Sequence, residues 1–162
     1  MSTYTQILYQ IVFSTKKRKP CLIKKNREKM YRHMWGTLKN KKGHLYRING
    51  IEDHLHIVTH LHPTIAPSAM VKDLKLSSSS FINREHLFPA FDGWQNGYAA
   101  FTYGISEKNR LIEYVKNQEV HHKEMSFKEE LIELLKEHKK SLPGLQKGFL
   151  IFLNIFLFNS SY

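Results

Sequence analysis

Apolar and polar residues along the chain change period several times, and each change marks an element. Ile7, Tyr9, Ile11 and Phe13 interleave with Leu8, Gln10 and Val12, which predicts a first strand that is buried on both faces if it lies centrally in a sheet. Over residues 24–41 the apolar positions Met30, Tyr31, Met34, Trp35 and Leu38 recur at three- and four-residue intervals, as a helix packed on a core requires. Gly43 closes that helix and residues 44–49 read as a second strand. Gly50-Ile51-Glu52-Asp53 is short enough to turn a hairpin into a third strand, which Pro63 stops. Pro67-Ser68 then starts a helix carrying Met70, Val71, Leu74, Phe81 and Ile82, with residues 77–80, all serine, expected as its fraying end. Residues 83–97, with Pro89, Gly93 and Gly97, read as an irregular connection into a fourth strand over residues 98–103. Ser106 is expected to cap a helix to about residue 121, and Ser126 another to about residue 137.

The order strand, helix, strand, strand, helix, strand and then helices predicts an α+β fold. It is the ferredoxin-like βαββαβ arrangement, an antiparallel sheet with two crossover helices on one face. The remaining helices follow at the C-terminal end, and the domain is expected to span residues 1–138.

The third strand begins Asp53-His54-Leu55-His56-Ile57-Val58-Thr59-His60-Leu61-His62. A strand alternates faces, so His54 and His56 project from one side while Leu55, Ile57 and Leu61 fall on the other. The crossover helices take the Leu55 side and leave the imidazoles on the open face. Two imidazoles at this spacing can share a divalent ion, although the pair alone does not name it and equally describes a histidine-rich edge strand with solvated rings. His60 and His62 have the same parity, but Pro63 ends the strand beside them, and they read as rim residues. On the helix after the fourth strand, Tyr114 and Gln118 are four apart and share a surface. A phenol is a nucleophile suited to a phosphodiester, and an amide oxygen can extend a site begun by imidazoles. Tyr114 also fits a plain rim position beside Leu111, Ile112 and Val115.

Composition narrows the partners. In 162 residues, 25 Lys and Arg stand against 14 Asp and Glu, and the formal charge of +11 points to an anionic partner, nucleic acid or an acidic membrane surface. Cys21 is the only cysteine, which excludes an intrachain disulfide and a cysteine-based zinc site. The first apolar stretch contains Gln6 and Gln10 and precedes its positive charges, unlike a signal peptide, so a cytoplasmic location is expected. Lys16, Lys17 and Arg18 in a proline-closed loop, with Lys72 and Lys75 three apart on a helix, are candidate DNA-phosphate contacts; a solvated charged face explains any one of them as well.

Three separated segments, in order, resemble the single-tyrosine HUH transposases of small insertion sequences and their repeat-associated relatives. Asp53-His54-Leu55-His56, after Arg47-Ile48-Asn49-Gly50-Ile51-Glu52, is similar to the family's histidine-hydrophobic-histidine motif. Gly93-Trp94-Gln95-Asn96-Gly97-Tyr98 with Ala100-Phe101-Thr102-Tyr103 resembles the segment before the catalytic helix. Tyr114-Val115-Lys116-Asn117-Gln118, then His121-His122-Lys123 and Ser126-Phe127, resembles the nucleophile motif and the opening of the next helix. The resemblance covers residues 4–138. It implies cleavage and rejoining of single-stranded DNA at hairpins near element ends, by a homodimer. Tyr114 would be the nucleophile, forming a 5′-phosphotyrosine, and His54, His56 and Gln118 would hold Mg2+ or Mn2+.

The chain departs from that family after residue 138. Residues 149–158 are almost wholly apolar apart from Asn154, too short a run for a membrane span, and residues 139–162 are expected to form an atypical tail dispensable for the fold. That tail favours a second reading, a non-catalytic single-stranded DNA or hairpin binder descended from such a transposase.

Overall fold

The computed structural model describes residues 3–139; the apolar run of residues 149–158 lies outside them. Strands β1 (Leu8–Ser14), β2 (His44–Gly50), β3 (His54–His60) and β4 (Ala99–Tyr103) form one sheet in the order β2-β3-β1-β4. Every neighbouring pair is antiparallel, with β1 and β3 in the centre. Helices α1 (Lys24–Asn40) and α2 (Pro67–Arg84) make the two crossovers. This is the ferredoxin-like βαββαβ fold that the hydrophobic pattern predicts.

Side-chain alternation decides what each face of the sheet receives. Ile11, Phe13, Leu55 and Ile57 face the crossover helices and pack with Met30, Met34, Leu38, Met70 and Leu74. Leu8, Val12 and Val58 lie on the opposite face, together with His54 and His56. That face is not open, contrary to the sequence-based expectation. It is covered by α3 (Lys108–Lys116) and α5 (Phe127–Lys139), whose Leu111, Val115, Phe127, Leu131 and Leu134 form a second core with the strands. The reason is amphipathicity: Phe127, Leu131 and Leu134 make one stripe of α5, and burying it against Val12, Val58 and Phe101 removes both apolar surfaces from water. His54 and His56 consequently sit at 0% exposure, not on a solvated surface.

Other boundaries also move. The helix expected from Ser106 to residue 121 is broken, because Asn117 leaves helical geometry (φ −95°, ψ 18°) between α3 and the one-turn α4 (Gln118–His121). Ser106 provides no cap, lying instead in the 3-10 turn Ile105–Glu107. Ser126 does cap α5: its backbone N–H and hydroxyl donate to Glu129 Oε2 at 2.9 and 2.7 Å, and Glu129 N–H donates back to Ser126 Oγ at 3.3 Å. The serine run lies inside α2 and is no frayed end. Ser78 Oγ donates to the Leu74 carbonyl at 2.6 Å and accepts the Trp94 indole N–H at 2.9 Å, so small polar residues there make room for the tryptophan. At Gly50 a Cβ would lie 2.2 Å from the His54 carbonyl oxygen and 2.7 Å from Leu55 Cα, so the turn that sets the start of β3 admits only glycine. Among the described residues no helix is long and apolar enough to cross a membrane.

Candidate metal centre and nucleophile

β3 delivers His54 and His56 to one face, opposite Ser14 and Val12 of β1. Their outer nitrogens are fixed by neighbours. His54 Nδ1–H donates to Asp53 Oδ1 at 2.7 Å, and Asp53 Oδ2 accepts from Arg18 at 3.0 Å. The Gln10 amide donates to His56 Nδ1 at 3.0 Å and accepts the Tyr103 hydroxyl at 2.8 Å. The reversed amide would accept from Nδ1–H and leave Nε2 of His56 as the free lone pair. The loop between α4 and α5 adds His122, whose Nδ1–H donates to the Met125 carbonyl at 2.9 Å. Carboxylate, amide and carbonyl partners of this kind orient metal-binding imidazoles.

Into the space between the three Nε2 atoms α5 places Glu130, 1% exposed. Its Oε2 lies 3.6 Å from His54 Nε2, 3.4 Å from His56 Nε2 and 2.9 Å from His122 Nε2. Its Oε1 accepts the Tyr114 hydroxyl and, at 3.1 Å, the Gln118 amide N–H. Tyr114 and Gln118 therefore converge as their spacing predicts, although the helix breaks between them. The Tyr114 ring is 6.1 Å from the His56 ring, centroid to centroid.

Five buried atoms of this centre lack a hydrogen-bond partner: Nε2 of His54, His56 and His122, Oε1 of Gln118 and Oε2 of Glu130. Leaving one such atom unsatisfied costs about 1–3 kcal/mol, and a shared cation would satisfy all five. The ligand atoms of His54, His56, His122 and Glu130 all lie within 4.8 Å of one another, and the cluster can bind a metal. The charges agree. Burial raises the Glu130 carboxyl, but the imidazoles of His56, His122 and His54 close around it outweigh burial and hold the carboxyl well below its usual range. Burial works against a proton on His54, yet Asp53 and Glu130 together raise that group, whereas burial lowers His56. Burial first, and the Glu130 charge second, push the Tyr114 phenol up.

The candidate phosphate contacts gather around the loop before β4. Lys16 pairs with Asp92 at 3.2 Å, and the Lys17 backbone N–H donates to Gln95 Oε1 at 2.8 Å. Arg18 turns inward to Asp53, with its guanidinium 4.9 Å from the centre of the Phe127 ring. Lys75 Nζ donates to the carbonyls of Gln95, at 2.7 Å, and Gly97, at 2.5 Å, and burial pushes it down to about 8. Lys72 is exposed beside a cleft of about 440 Å3 lined also by Trp94, Asn96 and Tyr98. His60 and His62 stay outside the centre, bonded to the Ile7 carbonyl and to Thr64.

Sequence reasoning missed His122 and Glu130 as members of the centre. A signal existed for the second: Glu130 falls on the apolar stripe of α5 between Phe127, Leu131 and Leu134, where a carboxylate needs a buried partner.

The chain thus carries paired histidines on a central strand of a ferredoxin-like sheet, with a tyrosine on the helix above them. The family model described as "Transposase IS200 like" matches residues 3–118, and the chain belongs to that family. A crystal structure from Deinococcus radiodurans R1, assigned as a transposase, shares 21% identity over 73% of this chain and 95% of its own, with a TM-score of 0.56. A REP-associated tyrosine transposase bound to a REP hairpin shares 12% identity over 75% of this chain and 74% of its own, also with a TM-score of 0.56. At these identities the likeness is one of fold. No curated protein matches the chain.

Proposed function

We propose that this transposase cleaves and rejoins single-stranded DNA next to a hairpin, with Tyr114 as the nucleophile. The observation that carries the reading is the convergence of the Tyr114 hydroxyl and Gln118 with His54 and His56 around one buried carboxylate. The Tyr114 oxygen attacks phosphorus, the P–O3′ bond breaks, and the products are a 5′-phosphotyrosine and a free 3′-hydroxyl. Because the phosphodiester energy is retained in the ester, attack by a second 3′-hydroxyl reseals DNA without a nucleotide cofactor. His54, His56 and Gln118 would hold Mg2+ or Mn2+, which when bound supplies Lewis-acid compensation for charge developing on the phosphate oxygens. Lys16, Lys17 and Lys72, on the rim near Trp94 and Gln95, would meet DNA phosphates, whereas Arg18 and Lys75 work inward. A homodimer would bring two such centres to two element ends.

The experiment is a covalent trap. Wild type, a labelled single-stranded hairpin with its flanks and Mn2+ should give an adduct that survives denaturation and carries the DNA on the 3′ side of the break, joined through its new 5′ phosphate. Tyr114→Phe keeps the ring's packing and should abolish the adduct while leaving hairpin affinity and its salt dependence nearly unchanged. An adduct with Tyr114→Phe would show that another residue attacks. Tight binding without any wild-type adduct would favour the non-catalytic hairpin binder.

A further inference from the structure

The family match ends at residue 118, so His122 and Glu130 lie beyond it, yet both belong to the centre. We propose that these two residues turn the two-histidine site into a preformed, four-ligand transition-metal centre that selects Mn2+-like ions over Mg2+ before DNA arrives. The inference rests on the metal site of the proposed function and deepens it.

Three observations carry it. The first is convergence: ligand atoms about 2.0–2.1 Å from a tetrahedrally bound ion stand about 3.3 Å from one another. The Glu130 Oε2 separations from the three imidazole nitrogens, 3.6, 3.4 and 2.9 Å, bracket that spacing. The second is orientation, since each imidazole is held through Nδ1 by Asp53, Gln10 or the Met125 carbonyl, which aims its Nε2 inward. The third is donor chemistry. Three imidazoles and one carboxylate suit manganese, iron, cobalt or zinc, whereas magnesium seeks octahedral oxygen and keeps its waters. Glu130 also joins the ion to the nucleophile: one oxygen faces the histidines while the other accepts the Tyr114 hydroxyl. With these four and Gln118 at the ion, an incoming DNA phosphate would gain a place there only as a protein ligand yields or the coordination number expands.

The test uses the full chain, stripped of metal and without DNA. Titration with Co2+ should give one equivalent of bound ion with the strong visible absorption of a low-coordinate site, and Mn2+ should bind by loss of its free-ion EPR signal. Mg2+ should displace Mn2+ only at concentrations about 100-fold or more higher. Glu130→Gln and His122→Asn, close in shape to the native residues, should each weaken Co2+ and Mn2+ binding by about tenfold or more. Glu129→Gln, one position away and exposed, should not. Far-UV circular dichroism and metal-free melting show whether each variant is folded, and Glu130→Asp should recover part of the affinity lost in Glu130→Gln.

Wild-type affinity in both Glu130→Gln and His122→Asn, or even competition by Mg2+, overturns the proposal. If His56→Ala abolishes binding while those two variants do not, the simpler histidine site stands and only this inference falls. Absence of any ion on DNA-free wild type also refutes a preformed centre, and the covalent trap still decides the proposed function separately.

Discussion

Mixing two variants that the proposed mechanism makes inactive asks whether the tyrosine and the histidines of one working centre belong to one chain. Tyr114→Phe retains the imidazoles and lacks the hydroxyl; His56→Ala retains the hydroxyl and lacks an imidazole. In the structure α3 is held to its own sheet by Leu111 and Val115, 2% and 0% exposed. Asn49 also donates to the Lys116 carbonyl at 2.9 Å, and Glu119 meets Lys24 at 2.6 Å and Arg27 at 3.1 Å. Burial of the two branched side chains contributes about 3–6 kcal/mol. The polar ties, partly exposed, add about 1–2 kcal/mol. A cost of about 4–8 kcal/mol disfavours a detached helix, whereas a helix exchanged onto a partner's sheet would recover the same contacts. With α3 docked on its own sheet, as in the structure, the mixed variants should form adduct at under about 1% of the wild-type level, read on a denaturing gel with labelled hairpin and Mn2+. Free exchange of the helices between subunits predicts otherwise. Half of the dimers would then be mixed, each with one intact centre, giving about a quarter of the wild-type adduct. A signal on that scale, with each variant inactive alone and still binding the hairpin, would refute the argument that α3 serves its own histidines.

Gly50→Ala should destabilise the domain by about 3 kcal/mol or more in urea unfolding, because its Cβ meets backbone at the start of β3; a loss under about 1 kcal/mol would show that the turn adapts. Burial holds Lys75 at about 8, below its value in an unfolded chain, so between pH 8 and 10 the folded state binds fewer protons. The contribution of Lys75 to stability should therefore rise with pH across that window and fall away as pH drops through 8. The stability difference between wild type and Lys75→Met should track this rise, and a flat difference would contradict it. A chain ending at Lys139 should unfold cooperatively, since both apolar clusters are built from described residues; loss of a cooperative transition would place the domain boundary further on.

Local rules sufficed for the frame of this protein. Period-two alternation placed His54 and His56 on one face and Leu55 and Ile57 on the other, and short spacing brought Tyr114 and Gln118 together even across the break at Asn117, because both depend on near neighbours along the chain. The element order then fixed the sheet, since short connections leave few ways to arrange four strands and two crossovers. What lies above the histidines was another matter. Whether that face meets water or a helix depends on where α5 docks, and its docking depends on Val12, Val58 and Phe101, three strands brought side by side only by folding. The same docking carries Glu130 to His54 and His56, more than seventy residues earlier in the chain, and the loop before it turns His122 onto the same point. An amphipathic pattern can state that α5 must bury a stripe, but not against what. A buried carboxylate's partners, and hence whether it is a stray charge or the fourth member of a metal centre, are set by packing between distant elements, which tertiary structure alone decides.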